Sequence, residues 1–509
     1  MLLIHPPVAK PGEPPAGIPR LAACLRAHGL PCTLLDASLE GLLYLLEGKR
    51  KPTDTWSIRA ERNLKRNLAA IRTPELYTNQ DRYQGLVREL NRVVEQSARA
   101  HGETELQLSL GNYQELGCSP LKSGELLAAA RNHRGNLYFP YFQQRLRQLC
   151  DRHHFSRVGF SLNYLSQANT TFAMIGFLRS HYPELSIILG GGLITSWMSH
   201  PNWEDPFSRL VDHCIAGPGE QPLLALFGRQ LSCSAPPDYS DLPLEHYLSP
   251  GLTLPYAASS GCYWNRCSFC PEEAEGNPYC PTDLTTIRRD LAHCCQTLRP
   301  SLLHFLDNAL SPALMRSLIT RPPGVPWYGF ARVDHNLADP AFCRQLKAAG
   351  CVMLKLGLES GNQQVLDAMG KGISLELISA TLRALEQAGI ASYVYLLFGT
   401  PSETLSQARD TLEFTAKHHS AITFLNLAIF NMPLLGRDAD RVESSQWSED
   451  DLSLYRDFTH PLGWSRKKIR TFLDREFKRH PLIAPILHRD PPLFTSNHAP
   501  FFSQGFSLP

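Results

Sequence analysis

The run Gly261-Cys262-Tyr263-Trp264-Asn265-Arg266-Cys267-Ser268-Phe269-Cys270 follows directly on an apolar stretch at 253–258, and it decides how the chain is read. Thiolates are soft ligands for iron–sulfur clusters, zinc or copper, and short spacers let one loop wrap a single site. A structural zinc site is normally closed by four ligands, whereas a cluster held by three thiolates leaves one iron open. Two plainer readings compete: a zinc loop completed by Cys280, and ordinary core cysteines. Tyr263 to Arg266 has neither strand nor helix periodicity, which speaks against core. Cys294 and Cys295 differ, since they share helical spacing with Ile287, Leu291 and Leu298 and at least one belongs to a packed face.

Outward from this loop, apolar stretches at 253–258, 302–307, 327–332, 352–358, 392–398 and 421–428 alternate with helical segments. Asp339-Pro340 starts one helix that stops at Gly350, and Ser374 starts another that stops at Gly389. Six successive β/α units predict a parallel partial barrel over 250–432, with functional groups at the C-terminal ends of the strands. Within 351–359, Leu354, Leu356 and Leu358 share one face and Met353, Lys355, Gly357 and Glu359 the other. Buried charge needs a partner or a ligand, so Lys355 and Glu359 are candidates, with a Lys355–Glu359 or Arg332–Glu359 ion pair as the structural alternative. Tyr393 and Tyr395 share a face of the fifth strand; packing is the usual role there, and radical relay or substrate contact the sharper one.

The first 235 residues read as a Rossmann-like α/β domain. Strands are expected at Leu2–Ile4, Cys32–Leu35, Val158–Leu162, Ser186–Leu189 and Asp212–Ala216, with helices over 19–29 and 168–179. Glycine ends several strands, at Gly190, Gly191, Gly192 and Gly217, where parallel sheets bind ligands. A tight strand-to-helix turn explains such glycines equally well. Residues from about 45 to 150 are polar and helix-prone without a strand signal, and read as a helical insertion. Residues 433–509 are rich in Pro and aromatics without periodicity, and read as a capping extension.

The cysteine spacing, the aromatic Phe269 before the last cysteine and the six-unit series resemble the radical S-adenosylmethionine (SAM) superfamily. One residue more than the commoner spacing separates Cys262 from Cys267. The resemblance implies a four-iron four-sulfur cluster on Cys262, Cys267 and Cys270, with SAM chelating the open iron. It implies SAM contacts from Phe269, from Asp307 at the second strand end, from Arg332 at the third, from Glu359 and Ser360 at the fourth, and from Gly399 at the fifth. One electron from the cluster would cleave SAM to methionine and a 5′-deoxyadenosyl radical, which abstracts hydrogen from a small organic substrate. An electron donor such as flavodoxin or ferredoxin is implied as partner.

The segment before the barrel resembles the cobalamin domain that precedes many radical SAM barrels, through the Pro-rich first loop, Ser161, Asn163, Gly190, Gly191, Gly192 and Gly217. The Asp-x-His-x-x-Gly motif that supplies a lower-axial His is absent; His5-Pro6-Pro7-Val8-Ala9-Lys10-Pro11-Gly12 stands in its place. Cobalamin without that His would favour methyl transfer, so C-methylation is the expected reaction. A radical rearrangement or cyclisation without cobalamin and a zinc-stabilised scaffold are the rivals.

Composition narrows the partners. In 509 residues, 43% are hydrophobic and 19% charged, a globular balance. Lys plus Arg number 50 against 48 Asp plus Glu, which gives no electrostatic reason to expect nucleic acid or an anionic membrane. No apolar run of spanning length and no signal-like N-terminus occurs, and the 14 cysteines have no disulfide lattice, so a cytoplasmic setting is expected.

Overall fold

The short apolar runs of the first 220 residues become parallel strands whose central residues are buried on both faces, as crossover helices require. The computed structural model describes residues 1–100, 106–201, 203–445, 450–492 and 498–503. In chain order the first strands are β1 (Leu2–His5), β2 (Thr33–Asp36), β3 (Leu106–Ser109), β4 (Asn112–Glu115), β5 (Arg157–Ser161), β6 (Ser186–Gly190) and β7 (His213–Ile215). One sheet has the order β2-β1-β5-β6-β7 and is parallel throughout. This is the doubly-wound pattern in which strand order reverses beside β1, opening a crevice at the C-terminal edge between β1 and β5.

The insertion between β2 and β5 is helical over Thr55–Ala70, Gln80–Ala100, Ser123–Arg131 and Phe139–His153, but not wholly so. β3 and β4 pair as an antiparallel hairpin, correcting the strand-free reading of 45–150. Leu106 and Leu108 point inward while Gln107 is exposed; four residues of alternation are too few to stand out against helical neighbours.

The second series begins with β8 (Thr253–Tyr256), followed by β9 (Ser259–Ser260), β10 (Cys280–Pro281), β11 (Leu302–Phe305), β12 (Trp327–Ala331), β13 (Cys351–Glu359), β14 (Ala391–Phe398) and β15 (Phe424–Ile429). Its six-stranded sheet runs β15-β14-β13-β12-β11-β8, so every sequential strand lies beside the last. The connecting helices start on side-chain caps from Asp283, Ser311, Asp339, Ser374 and Thr404, which satisfy N–H groups the first turn cannot pair. This is the α/β architecture expected from the sequence: a Rossmann-like sheet, then a (β/α)6 partial barrel.

Beyond β15, strands β16 (Met432–Pro433), β17 (Ser444–Ser445) and β18 (Tyr455–Phe458) form a small antiparallel sheet. Ala499 is fully buried in an apolar cluster with Tyr328, Met353, Tyr393 and Phe424, and the His498 ring stacks on Tyr393 at 4.3 Å. By contact density the described residues divide into two compact units, one holding 1–253 with 450–453, the other 254–445, 454–491 and 498–503.

Candidate functional site

The cysteine loop leaves β8 under tight control. Asp307, beyond the end of β11, is 2% exposed and accepts hydrogen bonds from the Ala258 N–H and the Ser259 hydroxyl. Burial pushes its carboxyl up, and these donors oppose the shift. Gly261 has φ +69°, and a Cβ there would lie 2.3 Å from the Pro278 carbonyl, so only glycine lets the chain turn into the loop.

The far side of the loop is held by residues 369–372, which follow helix Gln363–Ala368. Their four successive carbonyls all accept bonds. Met369 O takes the Ser268 N–H at 3.0 Å, and Gly370 O takes the Trp264 indole N–H at 3.1 Å. Lys371 O and Gly372 O both take the Arg332 guanidinium. Arg332 also lies over the Trp264 ring, 3.7 Å from its centroid. A Cβ on Gly372 (φ +64°) would approach Trp264 to 2.3 Å.

Cys262, Cys267 and Cys270 ride on this pinned loop, each partly exposed. Among the described residues, no three Cys, His, Asp or Glu side chains, these three cysteines included, are gathered closely enough to hold a metal ion. Burial pushes the Cys267 thiol up, while the Lys371 and Arg332 cations pull it back. Burial lifts Cys270 to about 11 against the N–H groups of Glu272 and Glu273. Three soft donors on one loop are the donor set an iron–sulfur cluster takes, since thiolates form as metal binds. Cys280, the fourth ligand of the zinc reading, lies exposed on β10.

Glu359 ends β13 with φ +67°, a strained setting for a residue with a side chain, and is 9% exposed. Its partner is Lys371, with Nζ 2.8 Å from Oε1, and not Lys355 or Arg332 as the sequence alternatives had it. A Cβ on Gly357 would lie 2.4 Å from that carboxylate and 2.9 Å from the Lys371 ammonium, so the glycine makes room for the pair. Ser360 is 1% exposed, and its hydroxyl is engaged with Thr411 and the Asn362 N–H. Phe269 packs beside Phe430 and Met432, with the Lys371 ammonium 5.5 Å from its ring centroid.

Lys355 lies lower on β13, in register with Phe330 and Tyr393 and 1% exposed. Its Nζ is 3.2 Å from His304 Nε2 and 5.0 Å from the centroids of Tyr328 and Phe330. Tyr393 is fully buried and Tyr395 stands beside it at 4.8 Å, tilted against Phe330. The inner strand faces thus carry an aromatic layer around one lysine, and sequence reasoning missed His304 and Tyr328 in it.

Gly399 (φ +87°) ends β14, and its N–H bonds to Glu403. Glu403 is fully buried and also accepts the Trp464 indole N–H; its other oxygen has no partner among the described residues. Burial pushes this carboxyl up to about 7 despite the two donors. The unfolded chain releases the proton in the ordinary carboxylate range, while the native state keeps it until about pH 7. Stability therefore falls as pH rises through that window. Glu403→Gln keeps both acceptor bonds and is expected to remove the fall, gaining about 3 kcal/mol at pH 8 relative to pH 4. Melting temperature against pH for both proteins measures it; parallel curves would refute it.

In the first unit, the cobalamin-type residues gather at the C-terminal ends of β5, β6 and β7. Asn163 donates to the Ser161 carbonyl and hydroxyl at 3.0 and 3.1 Å and accepts the Gly192 N–H at 3.0 Å. Gly191 (φ +109°) would clash with Leu162 O at 2.4 Å if it carried a Cβ, so its role includes close packing of two loops. Gly217 donates its N–H to Thr195, and nothing lies within 4 Å of where its Cβ would be. Gln167, which the sequence did not single out, is fully buried and ties the first loop to this edge by donating to Pro6 O and accepting from the Asn163 and Tyr164 N–H groups. His5 is 7% exposed at the end of β1, with its Nε2 against Gln167. The open surface at Gly217 suits close approach of a large planar group.

No helix among the described residues is long and apolar enough to cross a membrane. Residues 330–415, from the end of β12 through most of helix Leu405–Lys417, match the family model of the radical SAM superfamily. An uncharacterized methyltransferase of Pyrococcus horikoshii is 24% identical over 36% of this chain and 40% of its own length. The tryptophan 2-C-methyltransferase of Streptomyces laurentii is 25% identical over 38% of this chain and 35% of its own. Bacteriochlorophyllide d C-12(1)-methyltransferase of Chlorobaculum tepidum is 23% identical over 48% and 56%. The matches thus span less than two thirds of each relative. Among solved structures, the radical SAM methyltransferase TsrM from Kitasatospora setae, with cobalamin and a four-iron four-sulfur cluster bound, covers 85% of this chain and 75% of its own at TM-score 0.51 and 14% identity. The cobalamin-dependent radical SAM enzyme OxsB covers 65% and 60% at TM-score 0.53 and 16% identity. The family match thus falls on the segment that carries Arg332, Glu359 and Gly399, and the chain shares its fold, over 85% of its length, with a radical SAM methyltransferase whose structure holds cobalamin and a four-iron four-sulfur cluster.

Proposed function

We propose that this enzyme is a cobalamin-dependent radical SAM methyltransferase acting on carbon in a small organic substrate. The observation that carries the reading is the three-cysteine loop, fixed at the C-terminal rim of a six-stranded parallel sheet by four consecutive carbonyls and Asp307. Its similarity to methyltransferases that use carbon acceptors supports the choice of reaction. The bound cofactors would supply the chemistry, a cluster with SAM generating a carbon radical and cobalamin carrying a methyl group.

The protein's part is placement. Cys262, Cys267 and Cys270 would hold the cluster, with Phe269 anchoring the loop against Phe430 and Met432. Glu359 and Arg332 stand where SAM would lie, and Gly399 offers a rim without a side chain. Ser161, Asn163, Gly190, Gly191, Gly192 and Gly217 would line the cobalamin edge. The buried Lys355 and Tyr393, with the half-buried Tyr395, would help keep water from the reacting carbon, and a dry site protects a radical from quenching.

The test uses anaerobically purified protein reconstituted with iron, sulfide and hydroxocobalamin, then given SAM, a flavodoxin- or ferredoxin-type donor and candidate substrates. With the true substrate, 5′-deoxyadenosine and S-adenosylhomocysteine are expected in about equal amounts, as a division of labour between two SAM molecules requires. Deoxyadenosine without the homocysteine product would refute methylation and point to rearrangement or cyclisation.

A further inference from the structure

We infer that Lys371 is a positioning residue for SAM: it fixes Glu359 at the rim by one carboxylate oxygen and leaves the other for a hydrogen-bond donor of the cosubstrate. The inference rests on the radical SAM reading of this site.

Three observations converge on this lysine. First, its side chain is 10% exposed and its ammonium bonds to Glu359 Oε1, a carboxylate 11% exposed. Placing a carboxylate there is costly unless a partner replaces the water it loses. Second, the backbone at Lys371 is held in the clamp, since its own carbonyl and that of Gly372 are bound by Arg332. The chain on either side turns through Gly370 (φ +66°) and Gly372 (φ +64°), which lets Lys371 reach inward between two tight turns. Third, the ammonium lies 5.5 Å from the ring centroid of Phe269, a residue of the cysteine loop. One side chain therefore touches the cysteine loop on one side and the strained end of β13 on the other.

A purely structural ion pair would not need this construction. Glu359 holds φ +67°, and Gly357 gives up its side chain to admit the pair. Strain and lost packing at a rim are the marks of a position set for a ligand.

The experiment compares wild type with Lys371→Met, Lys371→Arg and the double variant Lys371→Met/Glu359→Gln, all reconstituted with iron and sulfide. Readouts are iron content, melting temperature, SAM dissociation constant, and the change in the reduced cluster's EPR spectrum when SAM is added. Lys371→Met is expected to keep its iron but bind SAM about tenfold or more weakly, the usual scale for a hydrogen bond to a charged group, and to lose the EPR change. Lys371→Arg should restore most of both. The double variant, which leaves no unpaired carboxylate, should fold like wild type and still bind SAM weakly. Wild-type affinity and EPR response in the double variant would overturn the inference, as would iron loss in it, which would make the pair a staple of the loop. Absence of an iron–sulfur signal in wild type would refute the radical SAM reading itself, a separate result.

Discussion

Protein in which Cys262, Cys267 and Cys270 are all replaced by alanine is expected to emerge from anaerobic reconstitution with background iron, and each single alanine variant to lose the site-differentiated four-iron cluster. Three thiolates leave no spare ligand, and Cys280, the next cysteine along the chain, lies exposed on β10. The loop is held by main-chain and indole bonds and not by its thiols, so these variants should fold. Iron analysis and Mössbauer spectra read the cluster, and melting temperature checks the fold. Full iron retention in the triple variant would sink the cluster assignment.

Gly372→Ala should be a strongly damaging one-methyl change in the barrel. The new Cβ would meet the Trp264 ring at 2.3 Å, and the ring cannot retreat, since Arg332 covers one face and its N–H is bound to Gly370 O. Strain at positive φ costs about 1–2 kcal/mol and overpacking about 1–3 more, for a total near 2–5 kcal/mol. In a unit of this size that lowers the melting temperature by about 5–15 °C. Gly389→Ala is the control: its φ of +68° is similar, but nothing lies within 4 Å of the added methyl. It should lose only the conformational share, about 1–2 kcal/mol. Equal losses in the two variants would show that Trp264 yields and that the clamp is soft.

What could be read from the sequence, and what could not, follows from the range of the forces involved. Strands β11 to β15 announced themselves because each is a local apolar run bounded by caps and glycines, and their order followed from simple succession. The cysteine triplet was equally visible, since its spacing is itself the signal. Lys371 was not, because it meets Glu359 across a helix twelve residues away and pairs of that kind leave no periodic trace. The inward lysine and glutamate of β13 were recognised as needing partners, but the candidates considered, each other and Arg332, were those at strand positions. The hairpin β3–β4 was too short to interrupt a helical pattern. The burial of His498 and Ala499 was hidden for the opposite reason: a segment without periodicity gives no clue that it fills a space between strands.

The clamp around the cysteine loop also bears on how such a site would drift over evolutionary time. Its acceptors are main-chain carbonyls, which every residue possesses, so the side chain at Met369 can change without loosening the hold on Ser268. Inheritance would act instead on what the carbonyls cannot supply: the absent side chains at Gly370 and Gly372, and the indole and guanidinium of Trp264 and Arg332. The indole bond reaches Gly370 across 106 positions of sequence. A lineage could therefore rewrite most letters near its cluster and keep the same grip, provided two glycines and two distant planar groups were passed on together.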